Sequence, residues 1–250
     1  MSACRRSILE RRAAMLEIRN LHSYYGEAYV LHGIDLTVPE AQVVALLGRN
    51  GMGKTTTIRS VMGLHPPTVR QGTVSFRGKP IGDLPPHKIA QLGIGLVPQG
   101  RRLFPSLTVT EHLDICPRRP AATGRTAWTP QRVFQLFPRL GERRSHRGQQ
   151  LSGGERQMLA IGRALMINPD LILMDEPTEG LAPVMVMHVE EAVQTLRAEG
   201  LSILLVEQNL HSALSVADTV HIIEAGSIVF TGLPAELTAN KELMHRHLGV

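Results

Sequence analysis

Residues 48–56 read Gly48-Arg49-Asn50-Gly51-Met52-Gly53-Lys54-Thr55-Thr56 and follow the apolar run 42–47. Glycines at this spacing, then Lys-Thr and an apolar-patterned segment over 56–62, are typical of a buried strand that enters a P-loop and a helix. The glycines let backbone N–H groups approach phosphate oxygens, and the helix N-terminus adds a positive potential. We expect Lys54 to reach the β- and γ-phosphates of a nucleotide and the Thr55 hydroxyl to ligate Mg²⁺. The stretch therefore predicts an α/β fold with a phosphate site.

Two further strand ends carry polar side chains that suit the same chemistry. The apolar run 170–174 ends in Asp175 and Glu176. With a P-loop upstream, Asp175 is expected to hold Mg²⁺ directly or through water, and Glu176 to orient or deprotonate the water that attacks the γ-phosphate. Gln99 follows a second apolar run, 93–98, and an open α/β sheet places its ligand contacts at such carboxyl ends. Together these residues predict nucleotide hydrolysis.

A second stretch also has the character of a phosphate-binding surface. It reads Leu151-Ser152-Gly153-Gly154-Glu155-Arg156-Gln157 and precedes a predicted helix that Pro169 ends. Ser152 can cap this helix, and the two glycines leave its first N–H groups accessible. Since one triphosphate does not occupy both surfaces of one chain, the second surface needs another explanation.

The rest of the chain suits one domain with subdivisions. Its 250 residues are 43% hydrophobic, which allows a substantial core. Alternating patterns at 16–21 and 34–38 predict antiparallel strands, whereas residues 100–150 are rich in Arg, Pro and Thr and predict a helical insertion. Tyr25, ahead of the P-loop, suits either stacking on a purine or simple packing.

Composition excludes several classes of protein. No run of about 18 apolar residues occurs, so nothing spans a membrane unaided. Cys4 and Cys116 make neither a disulfide framework nor a metal site. The net charge is +5, of which residues 1–14 contribute +3; we expect this segment to be a disordered basic extension or a mis-assigned start. The arginines at 139–147 lack interleaved aromatic residues, so no nucleic-acid role is expected.

The P-loop at 48–55, Gln99, the stretch 151–157 and the pair Asp175-Glu176 occur together in this order. From Leu16 onward, that combination resembles the ATP-binding cassette of ABC transporters. The resemblance implies an α/β P-loop NTPase of the ABC cassette type. Its core is a mostly parallel sheet, with an N-terminal antiparallel β subdomain and a helical insertion, all within a single nucleotide-binding domain over 15–250. It also implies ATP hydrolysis coupled to transport, with Mg²⁺ as the cofactor.

The resemblance assigns roles to individual residues. The implied catalytic residues are Glu176, Lys54, Gln99 and Gln208, and the implied Mg²⁺ ligands are Thr55, Gln99 and Asp175. Tyr25 becomes the adenine-stacking residue. The remaining implied ATP contacts are Gly48, Arg49, Asn50, Gly51, Met52, Gly53, Lys54, Thr55 and Thr56.

The resemblance also explains the second phosphate surface. Two cassettes of this family dimerise head to tail, so that Ser152, Gly153, Gly154 and Glu155 of one chain face the ATP held by the other. The implied partners are a second ATPase subunit, identical or different, and two membrane permease subunits. A periplasmic or surface solute-binding protein acts indirectly. The implied location is peripheral, on the cytoplasmic face of the inner membrane.

More narrowly, three stretches resemble the LivF-type subunits of branched-chain amino acid importers. They are residues 96–105, 180–183 and 205–209. The ATPases of urea importers share many of these sequence motifs, including Glu-Pro-Thr-Glu-Gly at 176–180. Branched-chain amino acids are therefore the favoured solute, and urea or another amide or amino acid is the alternative.

Two positions depart from the general cassette pattern. Gln208 stands where most cassettes have a histidine, and Ala182 stands where they have an aspartate. Glutamine can donate a hydrogen bond but cannot carry a proton, so a weaker switch is expected. Both departures suggest pairing with a different cassette. A soluble ABC ATPase without a transporter is a competing hypothesis, but the chain has neither a second cassette nor a long coiled-coil insertion; a P-loop kinase would leave residues 151–157 unexplained.

Overall fold

The computed structural model describes residues 13–249, and the predicted extension 1–14 lies outside them except for its last two residues. The described strands are β1 (Ala14–Tyr25), β2 (Ala28–Pro39), β3 (Val43–Leu47), β4 (Thr68–Phe76), β5 (Lys79–Pro80), β6 (Ile94–Val97), β7 (Leu171–Asp175), β8 (Ser202–Glu207), β9 (Thr219–Glu224) and β10 (Ser227–Gly232). The α-helices are α1 (Lys54–Val61), α2 (Pro86–Leu92), α3 (Val109–Asp114), α4 (Pro130–Leu136), α5 (Pro138–Glu142), α6 (Gly153–Leu165), α7 (Pro183–Ala198), α8 (Leu210–Val216), α9 (Pro234–Thr238) and α10 (Lys241–Leu248).

A six-stranded sheet forms the core, in the order β10-β9-β3-β8-β7-β6. Every pairing between β9 and β6 is parallel, and β10 adds an antiparallel edge. All residues of β3, β7 and β8 are buried, as expected for strands whose two faces are both covered. The predicted α/β fold is confirmed, and the carboxyl ends of β3, β6, β7 and β8 lie at one edge of this sheet.

A second, antiparallel sheet has the order β2-β1-β4-β5. Its two long strands have 12 residues each, so they extend well beyond the predicted segments 16–21 and 34–38. Buried residues of β1 and β2 share one apolar cluster with Leu46 of the core sheet and Ile58 of α1. This cluster fixes the antiparallel sheet against the P-loop helix.

The helical insertion comprises α3, α4, α5 and a short 3₁₀ turn at Gly148–Gln150. Its loop between α3 and α4 is fastened to the core at Asp170, whose carboxylate is 1% exposed. Arg119 and Arg125 of that loop reach the carboxylate at 3.0 and 3.1 Å, and Arg77, which follows β4, reaches it at 3.1 Å. One buried carboxylate thus joins the insertion, the antiparallel sheet and the core.

The C-terminal segment differs from expectation. The residue pattern predicts one closing helix over 234–247, but the chain forms two helices, α9 and α10. They are separated at Asn240, which leaves helical geometry with φ −107° and ψ 78° and accepts a hydrogen bond from Leu243 N at 3.0 Å. Asparagine favours such N-cap positions over helix interiors, because its side chain competes for backbone N–H groups.

Candidate active site

The loop between β3 and α1 forms the floor of the site. Gly53, its last residue, has φ +108°, and a Cβ there would lie 2.7 Å from Leu31 Cδ2, so both conformation and space require glycine. Lys54 begins α1 and is buried, with Nζ donating to Gly48 O at 2.8 Å and Arg49 O at 3.1 Å. The ammonium group therefore lies directly against the loop that precedes it.

Two carboxylates approach this loop from the end of β7. The Thr55 hydroxyl donates to Asp175 Oδ1 at 3.1 Å, and Lys54 Nζ lies 2.9 Å from Glu176 Oε1. The Lys54–Glu176 pair is nearly solvent-free, with side chains 3% and 6% exposed. Burial raises the pKa of Asp175 to about 6, against the opposing effect of the Thr55 hydrogen bond.

Gln99 follows β6 and lies beside these carboxylates, because β6 and β7 are parallel neighbours. Its Nε2 lies 3.0 Å from Glu176 Oε2 and 3.0 Å from Glu179 Oε2. A cavity of about 290 Å³ opens between the P-loop and this group, lined by Asn50, Gly51, Gly53, Lys54, Thr55, Thr56, Gln99 and Glu176. The structure thus brings together the side chains that the sequence singled out at three separate stretches.

The donor set at this edge fits Mg²⁺. A hydroxyl from Thr55, a carboxylate from Asp175 and an amide oxygen from Gln99 are hard oxygen donors of the kind Mg²⁺ takes. The raised pKa of Asp175 marks a buried carboxylate whose negative charge a divalent cation would compensate. Residues 13–249 contain no cluster of three or more His, Cys, Asp or Glu side chains that could hold a metal ion. A Mg²⁺ ion in a nucleotide site does not require such a cluster, because it needs only one or two carboxylates beside the phosphates.

A third buried carboxylate, Glu207, was not predicted. It ends β8, is 1% exposed, and accepts hydrogen bonds from Thr178 N at 3.0 Å and Thr178 Oγ1 at 2.8 Å. Burial raises its pKa, although these hydrogen bonds oppose the change. Gln208 N also donates to it at 3.2 Å, and Gln208 and Glu176 line a shared cavity of about 350 Å³. The sequence pattern that could have predicted Glu207 is an apolar run that ends in a carboxylate, the same pattern that identified Asp175.

Other predicted site residues lie apart from the 290 Å³ cavity. Ser152, Gly153, Gly154 and Glu155 form the N-terminus of α6, where Ser152 Oγ accepts from Glu155 N at 3.2 Å and Glu155 Oε2 accepts from Ser152 N at 2.8 Å. Packing also favours glycine at position 154, because a Cβ there would lie 2.2 Å from Met185 Cε.

Tyr25 ends β1 and does not line the cavity either; it is 36% exposed. It lies two residues after Ser23, whose hydroxyl is 2.8 Å from that of Ser60 on the P-loop helix. The end of β1 that carries Tyr25 therefore lies near α1.

A P-loop, an Asp-Glu pair and a glutamine at one edge of a parallel sheet define a P-loop nucleotide-binding protein. Comparison with known proteins gives the family: the family described as ABC transporter matches residues 31–179. The branched-chain amino acid transport ATP-binding protein BraG of Pseudomonas aeruginosa is 39% identical over 94% of this chain and 100% of its own length. The lipopolysaccharide export system ATP-binding protein LptB of Haemophilus influenzae is 37% identical over 94% of this chain and 98% of its own.

Solved structures agree with this result. A nucleotide-free ATP-binding cassette from an ABC transporter superposes with a TM-score of 0.79 and 27% identity, over 92% of this chain and 97% of that one. The chain therefore belongs to the ABC transporter family, as an ATP-binding subunit of a family that hydrolyses ATP, generally with Mg²⁺. The predicted resemblance to branched-chain amino acid transport ATPases is confirmed as well. No helix within residues 13–249 is long and apolar enough to cross a membrane.

Proposed function

We propose that this chain powers an importer of branched-chain amino acids by hydrolysing ATP in the cavity beside Lys54. The observation that carries the proposal is the meeting of Lys54, Thr55, Gln99 and the carboxylates Asp175 and Glu176 at one sheet edge. BraG, at 39% identity over its full length, supports the solute class. LptB at 37% makes lipopolysaccharide export the alternative from the comparisons, and the stretch 176–180 leaves urea as the alternative from the sequence.

The chain's own residues supply binding, orientation and proton transfer. Lys54 Nζ and the N–H groups of the P-loop hold the β- and γ-phosphates, while Tyr25 stacks on adenine. Glu176 accepts a proton from the attacking water or orients it for in-line attack on the γ-phosphate. Mg²⁺, held by Thr55, Asp175 and Gln99, would neutralise charge on the phosphates. Gln208, which lines the 350 Å³ cavity together with Glu176, donates an amide hydrogen bond to the γ-phosphate.

Residues 152–155 complete the site of a second cassette in this proposal. The N-terminus of α6 presents a positive potential to the γ-phosphate held by the partner. Gln208 and Ala182 favour a partner that differs from this chain. Closure of the dimer on ATP and its opening after hydrolysis would drive two membrane permeases, on the cytoplasmic face of the membrane.

The test is to purify the chain through a C-terminal tag from solubilised native membranes and to identify its partners. Two multi-span permeases and a second cassette are expected, and the reconstituted assembly should hydrolyse ATP faster with its solute-binding protein and leucine than with urea. Stimulation by urea alone, or co-purification with lipopolysaccharide-export components, would reassign the solute. Recovery of the chain alone from the soluble fraction would contradict the transporter role.

A further inference from the structure

Glu179 is a fourth carboxylate at the catalytic edge, and the fold holds it there by its backbone. Its N–H donates to Glu176 O at 3.2 Å, and its carbonyl accepts from the Arg101 guanidinium. The preceding residue, Thr178, is bound twice by buried Glu207. These contacts fix the turn at 176–179, so the exposed Glu179 side chain returns toward Gln99 and reaches its Nε2 at 3.0 Å.

The amide of Gln99 is consequently held between two carboxylates. Its Nε2 has two hydrogens, and it lies 3.0 Å from one oxygen of Glu176 and 3.0 Å from one oxygen of Glu179. Ionised carboxylates only accept hydrogen bonds, so the amide nitrogen must face them. The carbonyl oxygen, Oε1, is then the free end of the side chain. This arrangement selects one of the two orientations that a glutamine amide can adopt.

We propose that Glu179 is a positioning residue that holds the Gln99 amide so that its Oε1 is presented to Mg²⁺. The inference rests on the proposed ATPase site, since Gln99 is a ligand only there. Glu176 alone is a poor anchor for this purpose, because it is also paired with Lys54 and acts on the attacking water. Glu179 has neither task, so it keeps Gln99 in place while Glu176 changes partners.

A through-space effect is the competing explanation for any role of Glu179. A carboxylate this close adds negative charge near Asp175 and would attract a cation whatever Gln99 does. The two explanations differ in their dependence on Gln99. Positioning requires the Gln99 side chain, whereas the attraction of a charge does not.

The experiment is a double-mutant cycle in the full-length chain, with Glu179→Gln, Gln99→Ala and the double variant. The readout is the Mg²⁺ concentration that half-saturates binding of a non-hydrolysable ATP analogue, with analogue affinity without Mg²⁺ measured in parallel. For Glu179→Gln we expect this concentration to rise about tenfold, as for other residues that orient metal ligands, with Mg²⁺-free affinity unchanged. In the Gln99→Ala background, Glu179→Gln should have no further effect. Additive effects would overturn positioning in favour of through-space attraction.

Steady-state kinetics supply a second readout. Glu179→Gln should lose activity at low Mg²⁺ and recover wild-type kcat at saturating Mg²⁺, and Glu179→Asp should restore part of the Mg²⁺ affinity. A reduced kcat at saturating Mg²⁺ with an unchanged half-saturating concentration would place Glu179 in the chemical step and overturn the proposal. Glu191→Gln, an equal charge change on the exposed face of α7, is the matched control and should match the wild type.

Failure of the underlying site is distinguishable from failure of this inference. Lys54→Ala should weaken analogue binding with and without Mg²⁺, since Lys54 is assigned to the phosphates themselves. If Lys54→Ala binds the analogue like the wild type, the nucleotide site is misplaced. If Lys54→Ala behaves as expected and Glu179→Gln leaves the Mg²⁺ requirement unchanged, only the role of Glu179 is wrong.

Discussion

At the scale of single residues, Glu176 has the most demanding environment in the site. It is 7% exposed, has φ +48°, pairs with Lys54 and accepts a hydrogen bond from Gln99. A non-glycine residue in left-handed backbone geometry carries a conformational cost. A hydrogen bond from the N–H of Glu176 to Val206 O, at 2.8 Å, holds the residue in this geometry. The backbone thus aims this carboxylate at the P-loop.

Glu176→Gln should retain nucleotide binding and lose turnover. The amide has nearly the same shape but cannot accept the proton of the attacking water, and general-base catalysis typically contributes 10²–10⁴-fold. Steady-state ATPase rates should therefore fall by at least about 100-fold, while a fluorescent nucleotide titration gives an affinity at or above that of the wild type. Unchanged turnover would remove Glu176 from the role of base.

Gln208→His should raise hydrolysis if the weak switch limits the rate. Histidine at this position can carry a proton and a positive charge toward the γ-phosphate, which the glutamine amide cannot. The measurement is kcat of the purified assembly, and Gln208→Ala is its control. Equal rates for the wild type and both variants would show that this position does not limit turnover.

Individual residues of the site differ in how far the sequence predicts them. Lys54, Thr55 and Asp175 belong to contiguous motifs whose spacing reflects the chemistry of phosphate and Mg²⁺. The contact between Gln99 and Glu179 joins residues 80 positions apart and depends on the turn that Glu207 fixes. No local pattern contains that information.

At the scale of elements, the fastening of the helical insertion at Asp170 gives a stability prediction. Asp170→Asn removes the charge that three arginines share, so the free energy of unfolding should fall by about 2 kcal/mol. Urea denaturation measures the change. The partly exposed arginines can return to water, which keeps the loss below that of a fully buried pair.

Asp114→Asn is the matched control. Asp114 pairs with Arg118 at 3.2 Å on the surface of the same insertion, with side chains about half exposed. Exposed ion pairs contribute little, so this change should cost less than about 0.5 kcal/mol. Equal losses for the two variants would mean that the buried cluster does not join the subdomains energetically.

Most elements follow from local patterns, and the exceptions have physical reasons. Ser152 and Glu155 predict the start of α6 because a capping box satisfies two backbone N–H groups at once. The break at Asn240 was missed because neither a glycine nor a proline marks it in the sequence. The strands β1 and β2 were predicted too short because their outer ends are stabilised by pairing with each other and with β4, which a single strand does not reveal.

At the scale of the whole molecule, His221 gives a prediction for acid stability. It is 5% exposed in β9, its Nδ1 is 2.8 Å from Thr231 Oγ1, and burial lowers its pKa from 6.5 to about 4. A base with a lowered folded-state pKa contributes stability that is present above pH 6.5 and is lost as the pH falls toward 4. The loss amounts to roughly 3 kcal/mol from this group.

His221→Asn should flatten that part of the stability profile. Asparagine does not titrate, so the free energy of unfolding should vary less between pH 6.5 and 4 than in the wild type, even if it is lower at pH 7. Urea denaturation at several pH values measures the slope. An unchanged slope would show that other groups dominate acid unfolding.

The architecture as a whole was predictable because the motifs of the site also order its strands. A P-loop after β3 and acidic residues after β7 require both strand ends to meet around one nucleotide, which fixes a parallel core. The tie between the three subdomains was not predictable. No sequence pattern distinguishes Arg77, Arg119 and Arg125 from other arginines. Their role becomes visible only in the structure, where all three contact Asp170.

The contacts of Lys54 have a consequence for substrate entry. An ammonium group has three hydrogens, and three oxygens already receive them: those of Gly48, Arg49 and Glu176. A phosphate oxygen that binds Nζ must therefore displace one of these three oxygens. The carboxylate of Glu176 is the one that can move, because it belongs to a side chain that also binds Gln99. Binding of the γ-phosphate to Lys54 would then release the carboxylate of Glu176 to act on the attacking water. The substrate itself would thus activate the catalytic base.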